Sequence, residues 1–343
     1  MRRLLFIALL FGQLFSQSFL ERLAAPVFYE LSVQPNYQSN PLNLSDVEIQ
    51  KAARDSRYLN GITYSSSNVV SFSGKLNYSP RLFANRKTRF NLQLNHHYYH
   101  DIPERSYQSY SINIRQSIGN YRYLDMGYWI LPEYYLRNYL YRDIRSHQYS
   151  REVCNFGTDR IWLGFQHRLS KKNTLEYRLT VRNEIYAAPF SHYDMNMLEG
   201  DLKLVVGQFK AFYLSTEIQY GLADNKNNYD DKDRSYTYLH MRPSITLKMP
   251  GKHRVRLSGR YEQRAYDSEQ YDDLLHAGRY QDEVRLEVTV LPHLNGPFIV
   301  EPFVGYRERR VDSSDAAVAD LKSFSRYWFG VQFGFKSVID MYF

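Results

Sequence analysis

The sequence predicts an all-β fold: an up-and-down antiparallel barrel of about 14 strands that crosses a membrane. Three observations carry that prediction. Apolar and polar residues alternate with period two, the mark of strands with one apolar and one polar face. The alternating segments are long, whereas soluble strands average about 5–6 residues and a tilted membrane strand needs about 9–11. Short and long connections also alternate along the chain. The composition agrees, since the 343 residues include 32 tyrosines and 20 phenylalanines, and Tyr favours membrane interfaces. Against type, glycine is sparse, at 17 residues.

The chain opens with Arg2 and Arg3, followed by the apolar run Leu4 to Phe11. A short basic segment and a short apolar core describe a secretory signal peptide, placed at 1–17. The alternative is an N-terminal helix kept in the fold. Residues 18–343 then form the barrel domain. Strands are read at about 27–37, 62–79, 88–99, 106–118, 121–141, 158–169, 173–187, 196–207, 208–222, 235–248, 252–266, 278–291, 296–311 and 323–343. The second is representative: Val70, Phe72, Gly74, Leu76 and Tyr78 share one face, with Ser71, Ser73, Lys75 and Asn77 on the other. The last is the most apolar, with Tyr327, Phe329, Val331, Phe333 and Phe335 on one face. It is read as the closing strand, paired with the weak first strand that Pro35 dilutes. Pro243 and Pro302 fall inside strands, and each removes a ladder hydrogen bond, so a bulge or kink is expected at both.

Short connections are expected at 80–87, 119–120, 170–172, 207–208, 249–251 and 292–295. Long ones are expected at 38–61, 100–105, 142–157, 188–195, 223–234, 267–277 and 312–322. In the first long connection Ser45-Asp46-Val47-Glu48 reads as a capping box, so a short helix is expected at the mouth or in the lumen. If 27–37 is not a strand, the whole N-terminal segment becomes a plug.

No stretch approaches the length of a transmembrane helix. Cys154 is the only cysteine, so no intrachain disulfide can form. The formal charge is +8, but no basic stripe argues for nucleic acid. A secreted soluble β-sandwich remains the competing fold.

The basic, apolar N-terminus, the alternating strands and the terminal Tyr-Trp-Phe…Met-Tyr-Phe strand resemble bacterial outer-membrane β-barrel proteins. The resemblance implies residence in the outer membrane, lipid around the wall, short periplasmic turns and long external loops. It also implies that Phe343, with Met341 and Ile339 at alternate positions before it, is a signal read by the barrel-assembly machinery. With both termini in the periplasm, Tyr98, Tyr220, Tyr261, Tyr306 and Tyr327 are placed in an external aromatic girdle. Tyr78 and Tyr177 are placed in a periplasmic one.

The opposite parity collects charge. Arg178, Arg182, Arg254, Arg256, Arg260, Arg264, Arg285, Arg307 and Arg326, with Glu176, Glu184, Glu262, Glu283, Glu287 and Glu301, are candidates to line the lumen. Rings of Arg favour anions; alternatively, opposite charges on neighbouring strands satisfy one another. His96, His97 and His100 beside Asp101 resemble a metal cluster, but His96 and His97 point to opposite faces of a strand, and no metal is expected. The loop bearing Asp224, Asp230, Asp231 and Asp233 lacks a calcium-loop pattern. No serine is placed to meet His167, Cys154 falls in an external loop, and neither catalysis nor a cofactor is expected. The expected function is a porin-like channel or transporter for small polar or anionic solutes. The alternative is a structural barrel in a secretion or surface complex, with external loops binding a protein partner.

Overall fold

Strand pairing runs around the molecule until the last strand meets the first. The structure is a computed structural model that describes residues 21–340, apart from 60–61, 63–65, 143–146, 207–208, 210, 227–232 and 269–272. The expected signal peptide, Met341 and Phe343 lie outside the described residues. The strands are β1 (Val27–Gln38), β2 (Ser67–Tyr78), β3 (Thr88–Tyr99), β4 (Tyr107–Gly119), β5 (Arg122–Arg142), β6 (Tyr149–Arg168), β7 (Asn173–Tyr186) and β8 (Met195–Val206). They continue as β9 (Phe212–Asn225), β10 (Tyr236–Met241), β11 (Ser244–Lys248), β12 (Arg254–Tyr266), β13 (Tyr280–Leu291), β14 (Phe298–Asp312) and β15 (Phe324–Ile339).

β10 and β11 both pair with β9 on one side and β12 on the other. They are two halves of one strand, so the closed barrel has 14 antiparallel strands. The break between them falls at Arg242-Pro243, where proline cannot donate to the ladder, but the register runs on across it without a shift on either side, so no bulge forms there. Pro302 behaves differently. The β14–β15 ladder passes through Pro302↔Val331 without a shift, while the β13–β14 ladder ends at Thr289↔Phe303. Pro302 therefore sits just beyond the last pair on that side, and the expected kink does not form there.

Closure is made by β1 and β15, from Val27↔Ile339 to Gln38↔Trp328. Gln34 and Pro35 fall out of this ladder but stay paired with β2. At Gly330 the seam is so close that an added Cβ would lie 2.4 Å from the Pro35 carbonyl oxygen.

The largest correction concerns residues 149–157, expected in a loop. They extend β6 and pair with the outer part of β5, down to Arg142↔Tyr149. Cys154 is therefore a strand residue, buried against Tyr186 and Phe190. The segment's own sequence hides it: Tyr149, Arg151, Val153 and Asn155 alternate with Ser150, Glu152, Cys154 and Phe156, so both faces mix polar and apolar residues. Its partner β5 is bulged at Leu131/Tyr134 and Tyr135/Arg137.

The capping box forms as read. Ser45 caps α1 (Asp46–Arg54), its hydroxyl accepting from the Glu48 N–H while the Glu48 carboxylate accepts from the Ser45 N–H. α1 lies inside the external mouth. Leu42, Leu44, Ala52 and Leu59 form an apolar cluster with Val69, Tyr99, Ile102 and Tyr135, and the Glu48 carboxylate pairs with Arg137. A second helix, α2 (Ala316–Lys322), lies between β14 and β15 and touches α1.

Candidate functional site

The outward parity of the strands carries Leu31, Leu92, Leu163, Leu179, Leu286 and Phe333, all exposed. Between the rims this apolar face passes from strand to strand around the barrel, far beyond the few hundred Å² a soluble monomer tolerates. The inward parity is mostly polar, with buried apolar and aromatic clusters such as Val69 with Tyr99 and Met195 with Met197. Among the described residues each strand pairs with a neighbour on both sides, so the sheet closes without a free edge, as hydrocarbon requires. A closed strand wall with an apolar outer face is the architecture of a transmembrane β-barrel.

The inner wall of the barrel has two unlike sides. On β2 to β4 small uncharged polar residues predominate, with Lys75, Arg89 and Arg115 on the same face; Lys75 pairs with Glu30 and Arg115 with Asp125, both at 3.0 Å. Ser71 lies 2.7 Å from His97 Nδ1, Ser73 donates to Asn95 at 2.9 Å, and Asn91 donates to Asn113 at 2.9 Å. From β7 to β15 it is charged. The register places like charges side by side: Arg260↔Arg285, Arg285↔Arg307 and Arg307↔Arg326 form a tier of four arginines across β12 to β15. Next to it, Glu262 faces Glu283.

Like charges directly opposite destabilise a sheet, and here the compensation runs along the strands, diagonally and, between Glu283 and Arg309, directly across the ladder. Glu262 is buried and accepts from Arg260 and Arg264, with His240 Nε2 at 2.7 Å. Glu283 accepts twice from Arg307, both at 2.7 Å, and twice from Arg309, from Nε at 3.2 Å and Nη2 at 3.0 Å. Arg178 bonds Glu176 at 2.6 Å, Arg285 bonds Glu287 at 3.0 Å, and Arg182 bonds Glu184. Most of these pairs join residues two apart on one strand, which share a face, rather than residues on neighbouring strands.

Aromatic rings keep this wall flat. Trp162 faces Gly127, Tyr238 faces Gly221 and Trp328 faces Gly305, each pair directly across a ladder. A Cβ added to any of these glycines would lie 2.1–2.2 Å from the opposing ring. The missing side chain lets the ring lie against the backbone instead of projecting inward. Guanidinium groups then stack on the rings, Arg285 and Arg326 over Trp328 at 4.7 and 5.5 Å, and Arg160 over Trp129 at 4.3 Å. Such stacks hold a charge at a fixed place without neutralising it.

Comparison with known proteins finds no matching family model and no matching curated protein. Solved structures of similar shape include an anion-selective porin from Comamonas acidovorans, at 8% identity over 91% of this chain and 98% of that one, with a TM-score of 0.45. OprD of Pseudomonas aeruginosa shares 8% identity over 91% and 95% of the two chains, with a TM-score of 0.41. OmpT, an outer membrane protein of Vibrio cholerae, shares 8% over 92% and 98%, with a TM-score of 0.49. The likeness is one of barrel to barrel.

The lumen candidates read from the sequence fall on inward parity, and the register brings Arg260, Arg285, Arg307 and Arg326 together. Arg254 and Arg256 stand apart, exposed near the turn-bearing end of β12. Among the girdle candidates, Tyr98, Tyr177, Tyr220, Tyr306 and Tyr327 are exposed on the outer face. The hydroxyls of two others are engaged, Tyr261 with Asp282 and Tyr78 with the Leu23 carbonyl, both at 2.7 Å. Ile339, the described part of the expected assembly signal, pairs with Val27. Among the described residues no group of three His, Cys, Asp or Glu is placed to hold a metal. His97 bonds Ser71 on the inner wall, whereas His96 stacks with Phe72 outside. His167 stacks on Tyr177 on the outer face. Sequence reasoning missed His240, Arg309, the three glycines under the rings, Asp125, which accepts from Arg115 Nε at 3.0 Å and Trp162 Nε1 at 2.9 Å, and Glu199, which accepts from Gln219 at 2.7 Å. Shared parity was the available signal, but choosing among same-face residues needs the register.

Proposed function

We propose that the barrel is a porin-like channel that favours small anionic solutes, with lipid around its outer face and no catalytic role. The observation that carries this reading is the inward tier Arg260–Arg285–Arg307–Arg326. It places like charges in register despite the repulsion and backs two of them on the Trp328 ring. An arrangement that only stabilised the wall would alternate signs across each ladder. Rings of Arg select for anions where the path is polar. α1 narrows the external mouth, so conduction passes beside it.

Bilayer recording in a potassium chloride gradient tests the proposal. The expected result is a reversal potential on the chloride side, moved toward zero by Arg285→Gln with Arg307→Gln. A barrel that stays closed at every voltage, even after residues 39–66 are replaced by a short turn, overturns it. A second reading, a surface interaction barrel, draws on one observation: β5 and β6 span 21 and 20 residues and outreach the other strands. A stoichiometric protein retained in mild detergent, and lost when the outer part of that hairpin is trimmed, supports the second reading.

A further inference from the structure

The two ends of the barrel differ in charge, and the difference lies in the turns. The short connections 79–87, 120–121, 169–172, 207–211, 249–253 and 292–297 contain no Asp or Glu. The long connections at the other end are rich in acid, as in Asp312, Asp315 and Asp320 around α2.

Each of four described turns joins exposed cations to an exposed apolar side chain. Phe83 is flanked by Arg86 and Lys87, and Tyr121 by Arg122. Leu169 precedes Lys171 and Lys172, and Met249 lies between Lys248 and Lys252. Phe83 and Tyr121 are 67% and 59% exposed, values without purpose at a rim facing only water. Geometry holds part of this rim in place. Arg168 stacks on Tyr121 at 4.6 Å and donates to the Ser170 carbonyl at 2.9 Å, which ties two adjacent turns together.

We infer that this rim binds the phosphate groups of anionic phospholipids in the periplasmic leaflet. The apolar tips enter the acyl boundary and the Lys and Arg side chains reach the headgroup level. A cation beside an apolar anchor is the arrangement that meets a lipid surface, and each basic residue near an anionic leaflet adds attraction that salt screens. A soluble acidic protein would not need the apolar tips, which recur at turns on both sides of the barrel. The inference depends on the placement of the short turns in the periplasm, not on transport.

The test uses the folded, full-length barrel in zwitterionic detergent and follows its thermal unfolding by the gel shift of heated samples. Titration with phosphatidylglycerol is expected to raise the midpoint, phosphatidylcholine is not, and the rise should largely disappear between about 0.1 and 1 M salt. In Arg86→Gln/Lys87→Gln/Lys171→Gln/Lys172→Gln/Lys252→Gln the phosphatidylglycerol concentration giving half the rise should increase at least tenfold, with single-channel conductance unchanged. An equal response to both lipids, an unchanged variant, or the same rise from inorganic phosphate alone overturns the inference. If the variant does not fold, the salt and lipid comparisons on the wild type decide it.

Discussion

At the scale of single residues, the inner wall depends on small groups placed opposite large ones. Gly305→Ala forces the Trp328 ring off the wall, because the added Cβ would lie 2.1 Å from it. Overpacking of this kind costs about 1–3 kcal/mol. The expected outcome is a lower gel-shift midpoint and a smaller conductance, with both recovered in part by Trp328→Ala in the same chain. Glu262 is the second sensitive position. Glu262→Gln leaves His240, Arg260 and Arg264 around a neutral amide, and removing one partner of a buried ion pair costs roughly 3 kcal/mol. The same change should move the reversal potential further toward that of chloride, since an inward negative charge is lost beside the arginine tier. A variant with unchanged stability and selectivity would show that Glu262 compensates nothing. None of this was legible residue by residue. Arg260, Glu262, Glu283 and Arg285 are visible as charges on polar parity. That arginine faces arginine, and that compensation comes from the residue two positions along, follows from a register the sequence does not state.

At the scale of elements, local signals were read well and interrupted ones poorly. β3 matches its expected span because Phe90, Leu92 and Leu94 alternate cleanly with Asn91, Gln93 and Asn95. α1 begins where its capping box lies. The outer part of β6 gives no strand signal because polar and apolar residues mix on both of its faces, Tyr149, Arg151 and Val153 on one and Ser150, Glu152 and Cys154 on the other. α2 left little in the sequence beyond a capping Asp315, and its role comes from packing. Its last residue, Lys322, is pushed down from 10.5 to about 8, chiefly by burial, with Arg137 and Arg279 adding to the effect and Glu48 opposing it. The unfolded segment holds the Lys322 proton up to its ordinary value. Between about 8 and 10.5, opening α2 therefore takes up a proton, and docking strengthens as pH rises through that window. At neutral pH both states are protonated and docking is weakest. Amide exchange across 316–322, corrected for intrinsic rate, should show more protection at about pH 9.5 than at 7.5. Lys322→Met should remove that difference.

At the scale of the whole molecule, closure depends on β1 and β15, which are nearly 300 residues apart in sequence. Their ladder is interrupted at Pro35 and drawn tight at Gly330. Long-range pairing of this kind is slow to form because loop closure precedes any reward. Deleting Phe343 is expected to lower the amount of assembled, heat-shifted barrel in the outer membrane while leaving the conductance of each assembled molecule intact. Normal levels of the truncated protein would show that the terminal residue has no part in assembly. The closed fold itself was legible, because period-two segments of membrane length and alternating connection lengths admit few other arrangements.

The three rings laid over glycines carry one more consequence. The bore at each of those heights is set by an absence on one strand and a presence on the next, so the two positions are a single heritable unit. In a relative of this barrel, a side chain at the place of Gly127, Gly221 or Gly305 should be accompanied by a small residue in place of Trp162, Tyr238 or Trp328. A sequence that gains the side chain while keeping the ring should specify a narrower passage or a barrel that does not close, and one that loses the ring while keeping the glycine a wider one.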